Sequence, residues 1–174
     1  MLSLSQTTGY AVLALGCLEE CGGRLVLARD IAACTGIPLP YLSKLLHTLR
    51  GRGLINGKRG YRGGFSLSRP AARISLAEVA EAVEGPQWLP DCLLGLTDCT
   101  PEVLCPTYAF WKVERKKIER ELRRTTLADV AAFLRKRGMI GGEGCCSRSE
   151  SAAGNGTGKA AGAKGRAAVR ERRR

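Results

Sequence analysis

Three cysteines lie close together in a part of the sequence with little helical periodicity. Cys92, Cys99 and Cys105 are separated by seven and six residues, in a stretch that also contains glycine and proline. Such a segment buries little apolar surface, so packing does not explain three thiols in it. Thiolates bind iron–sulfur clusters and zinc, and neighbouring thiols also pair as disulfides. The spacing therefore indicates a metal or redox site.

An iron–sulfur cluster is the first interpretation of this loop, and two others stay open. The thiols could act directly as a redox pair, or they could bind zinc, although structural zinc sites commonly use Cys-x-x-Cys pairs and the loop has none. Catalysis by a cysteine nucleophile would need a base beside it. The single histidine, His47, lies far away in the sequence among basic residues. We therefore expect no enzymatic activity.

The composition indicates a basic protein with a polyanionic partner. The chain has 174 residues, eight cysteines and a net charge of +12, and Lys and Arg that meet phosphates release condensed counterions. No apolar run is long enough to span a membrane, and the first residues lack the positive charge of a signal peptide. We expect a cytoplasmic protein, whose reduced thiols serve metal or redox chemistry more than a disulfide framework.

The elements before the cysteine loop have the pattern of a helix-turn-helix. Helices are predicted over residues 5–20, over 27–34 and from the Pro40 region to about Arg50, with a turn at Gly36 between the last two. The third helix has an apolar stripe at helical spacing, formed by Leu42, Leu45, Leu46 and Leu49. Its opposite face is polar and basic, with Ser43, Lys44 and His47. This is the pattern of a DNA-recognition helix.

A glycine-rich basic hairpin follows that helix. Short strands are predicted over residues 54–56 and 65–67, and the segment between them is basic at Lys58, Arg59 and Arg62. Four glycines allow a sharply bent tip. A P-loop is excluded, because no Lys-Ser/Thr and no helix follow the glycines. The hairpin is predicted to be a wing that contacts phosphates or the minor groove.

The remaining elements frame the cysteine loop. A capping box at Ser75 begins a helix that ends at Gly85, and further helices are predicted over 107–124 and 126–137. From Gly141 the chain has no Leu, Ile or aromatic residue, which predicts a disordered basic tail. The predicted division is therefore a DNA-binding domain (1–85), the cysteine loop (86–106), a long helix with the terminal helix (107–140), and the tail (141–174).

Several strings in this order resemble the Rrf family, the IscR and NsrR type of bacterial regulators. The similar positions before the wing are Ile31-Ala32, Gly36-Ile37, Pro40-Tyr41-Leu42 and Leu45. Those that follow are Leu49-Arg50, Gly53-Leu54, Arg59-Gly60 and Gly63-Gly64-Phe65. The similarity covers roughly residues 4–138, and Arg59 with the wing glycines is its most specific part.

The resemblance implies a mainly α fold: a winged helix-turn-helix domain with a small β-hairpin wing and a long C-terminal dimerisation helix. It implies a homodimeric transcriptional regulator, expected to be a repressor, that binds double-stranded operator DNA. It also implies a 2Fe–2S or 4Fe–4S cluster held by Cys92, Cys99 and Cys105, which would sense redox state or nitric oxide. The expected DNA contacts are Pro40, Tyr41, Ser43, Lys44, His47, Lys58, Arg59 and Arg62.

Three positions depart from the family pattern. Tyr108 stands where the cluster-binding regulators have a histidine ligand, and Gly9 where the nitric-oxide branch has an aspartate. The fourth ligand therefore stays open among a water, a small thiol and four nearby side chains, namely Asp91, Asp98, Glu102 and Tyr108. An oxygen ligand would hold iron less firmly than a thiolate, which predicts a labile cluster. Ser43 replaces a carboxylate that accepts a bond from cytosine, so we expect a different operator sequence.

Overall fold

The computed structural model describes residues 4–60, 63–95 and 105–141. This part of the chain is mainly helical and contains one two-stranded antiparallel sheet, as expected from the sequence. The first half comprises α1 (Gln6–Glu20), α2 (Ala28–Thr35), α3 (Leu39–Gly51), β1 (Ile55–Lys58) and β2 (Gly64–Leu67). The second comprises a 3-10 turn (Ala71–Arg73), α4 (Leu76–Glu84), α5 (Tyr108–Arg124) and α6 (Leu127–Lys136).

The first three helices share one hydrophobic core. Ser5 caps α1 by accepting a hydrogen bond from the backbone N–H of Thr8 at 3.2 Å, a common way to satisfy a free helical donor. Gly36 ends α2 in the left-handed conformation, with φ of 70°, which a glycine adopts without steric cost. The predicted stripe of leucines on α3 is fully buried in this core. The helix-turn-helix is therefore confirmed.

The hairpin differs from its prediction in two ways. β1 begins at Ile55 and extends to Lys58, which pairs with Gly64, so Lys58 lies in the strand and not in the tip. Val26 adds a short third segment, because its N–H and C=O both bond Phe65 at 2.8 Å. A Cβ on Gly64 would come within 2.7 Å of the Val26 carbonyl oxygen. A single valine without a strand pattern gave no indication of this pairing.

The C-terminal helices make different kinds of contact. The predicted capping box of α4 is present between Ser75 and Glu78, and Thr126 with Asp129 forms another on α6. α6 packs against α1, where a Cβ on Gly16 would lie 3.5 Å from the Leu134 side chain. Helix α5 buries little against this body: Trp111 is its one fully buried side chain in the described structure.

Some predictions fall on residues that the structure does not describe. These are Arg62 in the wing, the tail from 142 onward and, in the cysteine loop, Cys99 and two candidates for the fourth ligand, Asp98 and Glu102. Within the described ranges, no helix combines the length and the apolar character required to cross a lipid bilayer.

Candidate nucleic-acid interface and thiol site

Helix α3 separates a buried apolar face from an exposed polar one. Leu42, Leu46 and Leu49 are completely shielded from solvent, whereas Lys44 and His47 are exposed. Pro40 lies in the first turn, where its missing N–H has no helical acceptor to lose. The apolar face packs against the core, and the opposite face is therefore exposed to solvent along the helix.

Two predicted DNA-contact residues on α3 already make contacts within the protein. The Tyr41 hydroxyl lies 2.6 Å from Thr7 Oγ1, and the Tyr41 ring meets the Tyr10 ring edge-on at 5.5 Å. Tyr41 nevertheless keeps 39% of its surface exposed. The Ser43 hydroxyl donates to the Leu39 carbonyl at 2.8 Å, so its proton is engaged and the oxygen is left as an acceptor.

The wing presents its cations at the end of the hairpin. Lys58 closes β1, and Arg59 follows it in the turn, both exposed. The turn is closed by a bond from the Gly63 N–H to the Gly60 carbonyl at 2.9 Å. A Cβ at Gly63 would lie 2.4 Å from the Lys58 carbonyl oxygen, so only glycine fits there. The tight turn therefore holds Lys58 and Arg59 at the exposed end of the hairpin.

Two of the loop cysteines, Cys92 and Cys105, lie in the described ranges. The Thr107 hydroxyl lies 3.2 Å from the Cys105 sulfur and lowers the pKa of this thiol below its ordinary value, while a negative charge on Cys92 acts in the opposite direction. Thiolates are the ligands that iron–sulfur clusters use. These two half-buried thiols therefore fit a cluster as a partial donor set.

Helix α5 holds the arm of the loop that carries Cys92. The Trp111 indole N–H donates to the Pro90 carbonyl at 3.1 Å, and the Arg115 guanidinium donates twice to the Leu89 carbonyl, at 3.1 and 3.2 Å. Arg115 also pairs with the Asp91 carboxylate at 3.0 Å. The residues just before Cys92 are thus bonded to α5, the helix that begins at Tyr108, shortly after Cys105.

The described residues do not supply a fourth ligand. The Tyr108 hydroxyl accepts a bond from Lys112 at 3.3 Å, and the same ammonium lies 5.4 Å from the Tyr108 ring centroid. Gly9 on α1 has open space where a side chain would begin. Within the described ranges, no group of three His, Cys, Asp or Glu side chains is placed to hold a metal ion. Cys99 lies outside those ranges.

The cysteines outside the loop differ from one another. Burial, followed by the charges of Glu20 and Asp30, raises the pKa of Cys17 to about 12. Cys21 is also buried, but Cys21 and Cys34 are both disulfide-bonded. This corrects the expectation of reduced thiols for these two cysteines. Nothing in the spacing of these two cysteines distinguished them from core thiols.

An apolar cavity runs along α5 beside the cysteine loop. Its volume is about 490 Å³, and Leu4 and Glu84 are among its lining residues. The residues of α5 that line it include Trp111, Ile118 and Leu122, which share one face. Phe110 and Val113 lie on another part of α5 and are more than half exposed, at 58% and 51%. This helix therefore presents more apolar surface than the described residues cover.

Comparison with known proteins identifies the family. A family model described as "Rrf2: Iron-dependent Transcriptional regulator" matches residues 4–132. The HTH-type transcriptional regulator IscR of Xenorhabdus nematophila is 37% identical over 113 residues, which are 64% of this chain and 68% of that protein. The solved structure of T. potens IscR superposes with a TM-score of 0.61 at 29% identity, covering 81% of this chain and 94% of that one. The structure of CymR, the global cysteine regulator of B. subtilis, has a TM-score of 0.62 at 25% identity, over 76% and 98% of the two chains.

Proposed function

Because this chain belongs to the Rrf2 family of DNA-binding transcriptional regulators, we propose that it is a homodimeric repressor whose affinity for operator DNA is set by an iron–sulfur cluster. It is a regulator and not an enzyme. The observation that carries the proposal is the attachment of the Cys92 arm to α5, the helix that begins shortly after Cys105. Two soft ligands would then lie at the junction between the DNA-binding body and a helix that the described residues leave partly uncovered.

DNA would be bound by α3 and the wing. Lys44 and His47 can donate to guanine or to phosphate from the exposed face of α3, in the geometry of a helix lying in the major groove. Lys58 and Arg59, with Arg62 next to them in sequence, would meet phosphates or the minor groove. Pro40, Tyr41 and Ser43 complete the proposed surface at the start of the helix. Ser43 would act as an acceptor, because its proton is bound to Leu39.

The dimer would form through α5. The apolar cavity beside Trp111, Ile118 and Leu122 supplies apolar surface that a second copy of the helix would bury. The basic residues on the other faces of α5 stay in water in this arrangement. Pairing by a two-fold axis would present two copies of α3 and two wings to one operator.

The cluster would be held by Cys92, Cys99 and Cys105. When bound, it supplies a centre whose oxidation, nitrosylation or loss changes the charge and the cross-links of the loop. The protein contributes the rest: Trp111 and Arg115 fix one arm of the loop, and Thr107 stabilises the Cys105 thiolate. Fewer thiolates than the four of ordinary clusters favour a labile site, as an environmental sensor requires.

Anaerobic purification with an absorption spectrum and an iron and sulfide count tests this proposal. The wild type is expected to be brown, and Cys92→Ala and Cys105→Ala are expected to lose the colour, the iron and the sulfide. Cys17→Ala is the matched control, because this buried cysteine lies on α1 outside the loop. A colourless, iron-free wild type isolated without oxygen would refute the cluster.

Direct thiol oxidation is the second candidate, and the lowered pKa of the Cys105 thiol favours it, because the thiolate is the form that reacts with a peroxide. In that case iron is absent, and a peroxide links the loop cysteines as a disulfide while it is reduced to water. The same preparation separates the two mechanisms, because only the second leaves an iron-free protein whose DNA affinity responds to peroxide. A zinc count in place of iron would instead indicate the zinc-binding alternative.

A further inference from the structure

The first turn of α1 is held by a carboxylate from another helix. Thr8 is completely buried, and its hydroxyl donates to Oε1 of Glu84, the last residue of α4. The same oxygen accepts a bond from the Ser5 N–H at 3.2 Å. No acidic residue of α1 itself lies in its first turn, although a negative charge there favours the helix. Glu84 supplies that charge from outside.

Glu84 is also the point where α4 passes into the cysteine loop. Gly85 ends the helix with φ of 91°, and the chain continues through Leu89 and Pro90 to Cys92. Glu84, Leu89 and Pro90 line the same cavity beside Trp111. A displacement of the loop arm can therefore shift Glu84 in two ways: through the seven residues of chain that join Glu84 to Cys92, and through the cavity that Glu84, Leu89 and Pro90 line together.

The other side of the same helical turn contacts the recognition helix. Thr7, next to Thr8, lies 2.6 Å from the Tyr41 hydroxyl through its own hydroxyl. Tyr10, one turn further along α1, meets the Tyr41 ring edge-on. Tyr41 lies in the first turn of α3, among the residues proposed to contact DNA. The beginning of α1 is thus in contact with both the end of α4 and the beginning of α3.

We propose that Glu84 is a positioning residue that couples the state of the cysteine loop to α3 through the first turn of α1. Its bonds to Thr8 and Ser5 set the position of that turn, and the contacts of the turn with Tyr41 set the position of the Tyr41 side chain. This inference deepens the proposed function and rests on it. Because the Glu84 side chain is otherwise exposed, water can replace a lost protein partner. The contact can therefore be broken without leaving a buried charge unpaired.

The test compares the operator affinity of the full-length protein with the cluster bound and after iron removal, both in the absence of oxygen. The measured quantity is the ratio of the two dissociation constants. Thr8→Val removes the hydroxyl and keeps the shape, and it is expected to reduce the wild-type ratio at least fivefold. Glu84→Ala has the same effect, while Glu84→Gln keeps the acceptor oxygen and retains most of the ratio. Thr35→Val is the control, because the described bonds of the Thr35 hydroxyl join it to Ile31 and to the N–H of Ile37, and none joins it to α1 or α4.

Hydrogen–deuterium exchange gives a second measurement that does not depend on the cluster. Glu84→Ala is expected to speed amide exchange both at the start of α1 and around Tyr41, whether or not iron is bound. A wild-type ratio of one overturns the proposed function and this coupling with it. A large wild-type ratio that Thr8→Val and Glu84→Ala both retain overturns the coupling alone. Unchanged exchange around Tyr41 in Glu84→Ala also overturns it.

Discussion

The charges on the proposed DNA surface predict a steep dependence of operator affinity on salt. In each protomer the described cations of this surface are Lys44, Lys58 and Arg59, which gives six in a homodimer. At about 0.9 per neutralised phosphate, the slope of log affinity against log salt is about −5. Between 50 and 200 mM salt the affinity should then fall by about a thousandfold. Arg62 would make the slope steeper.

Removing one of these charges gives the sharper form of this prediction. Lys58→Ala removes two phosphate contacts from the dimer, so the slope should become less steep by about 2. Lys136→Ala removes the same charge from α6, which packs on α1 and the 3-10 turn, and it should leave the slope unchanged. Fluorescence anisotropy of labelled operator DNA at several salt concentrations measures both. A wild-type slope near zero, or equal slopes for Lys58→Ala and the wild type, would refute the assigned surface.

Three other predictions concern the body of the protein. Leu46→Ala, at a completely buried site, should lower the free energy of unfolding by about 2–5 kcal/mol in urea denaturation; a loss below about 1 kcal/mol would contradict the packing of α3. Because the pKa of Cys17 is raised from 9.0 to about 12, its contribution to stability is present below pH 9 and declines above it, by about 1.4 kcal/mol per pH unit. Cys17→Ala should remove that part of the alkaline decline, and identical pH profiles would disprove it. Reduction of the disulfide-bonded Cys21 and Cys34 should cost about 2–4 kcal/mol, measured as a lower melting temperature in dithiothreitol; an unchanged melting temperature after full reduction would contradict the bonding.

The recognition helix and the wing could be predicted because their patterns are local. The leucines of α3 repeat at helical spacing, so the buried face and the exposed face both follow from the sequence. The wing could be predicted from its glycines, and Gly64 has the close backbone contact with Val26 that excludes a side chain. Lys58 was predicted between the strands and lies in β1, because the ends of strands depend on pairing across the hairpin.

The contacts that join distant parts of the chain could not be predicted. The bond between Thr8 and Glu84 links positions 76 residues apart, and neither residue type is unusual where it occurs. The same is true of the disulfide bonding of Cys21 and Cys34, since helical periodicity alone treats a buried cysteine as a small apolar residue. The hydrogen bonds from Trp111 and Arg115 to backbone carbonyls of the loop also have no signature in the sequence, because every residue has a backbone carbonyl.

We expect above all that the state of the cysteine loop controls DNA binding. The dissociation constant for operator DNA of the anaerobically purified protein, measured before and after iron is removed by a chelator, tests this expectation. The two constants should differ by at least tenfold, and Cys105→Ala should behave like the iron-free protein in both preparations. Equal constants before and after iron removal, in a wild type shown to contain iron and sulfide, would contradict it.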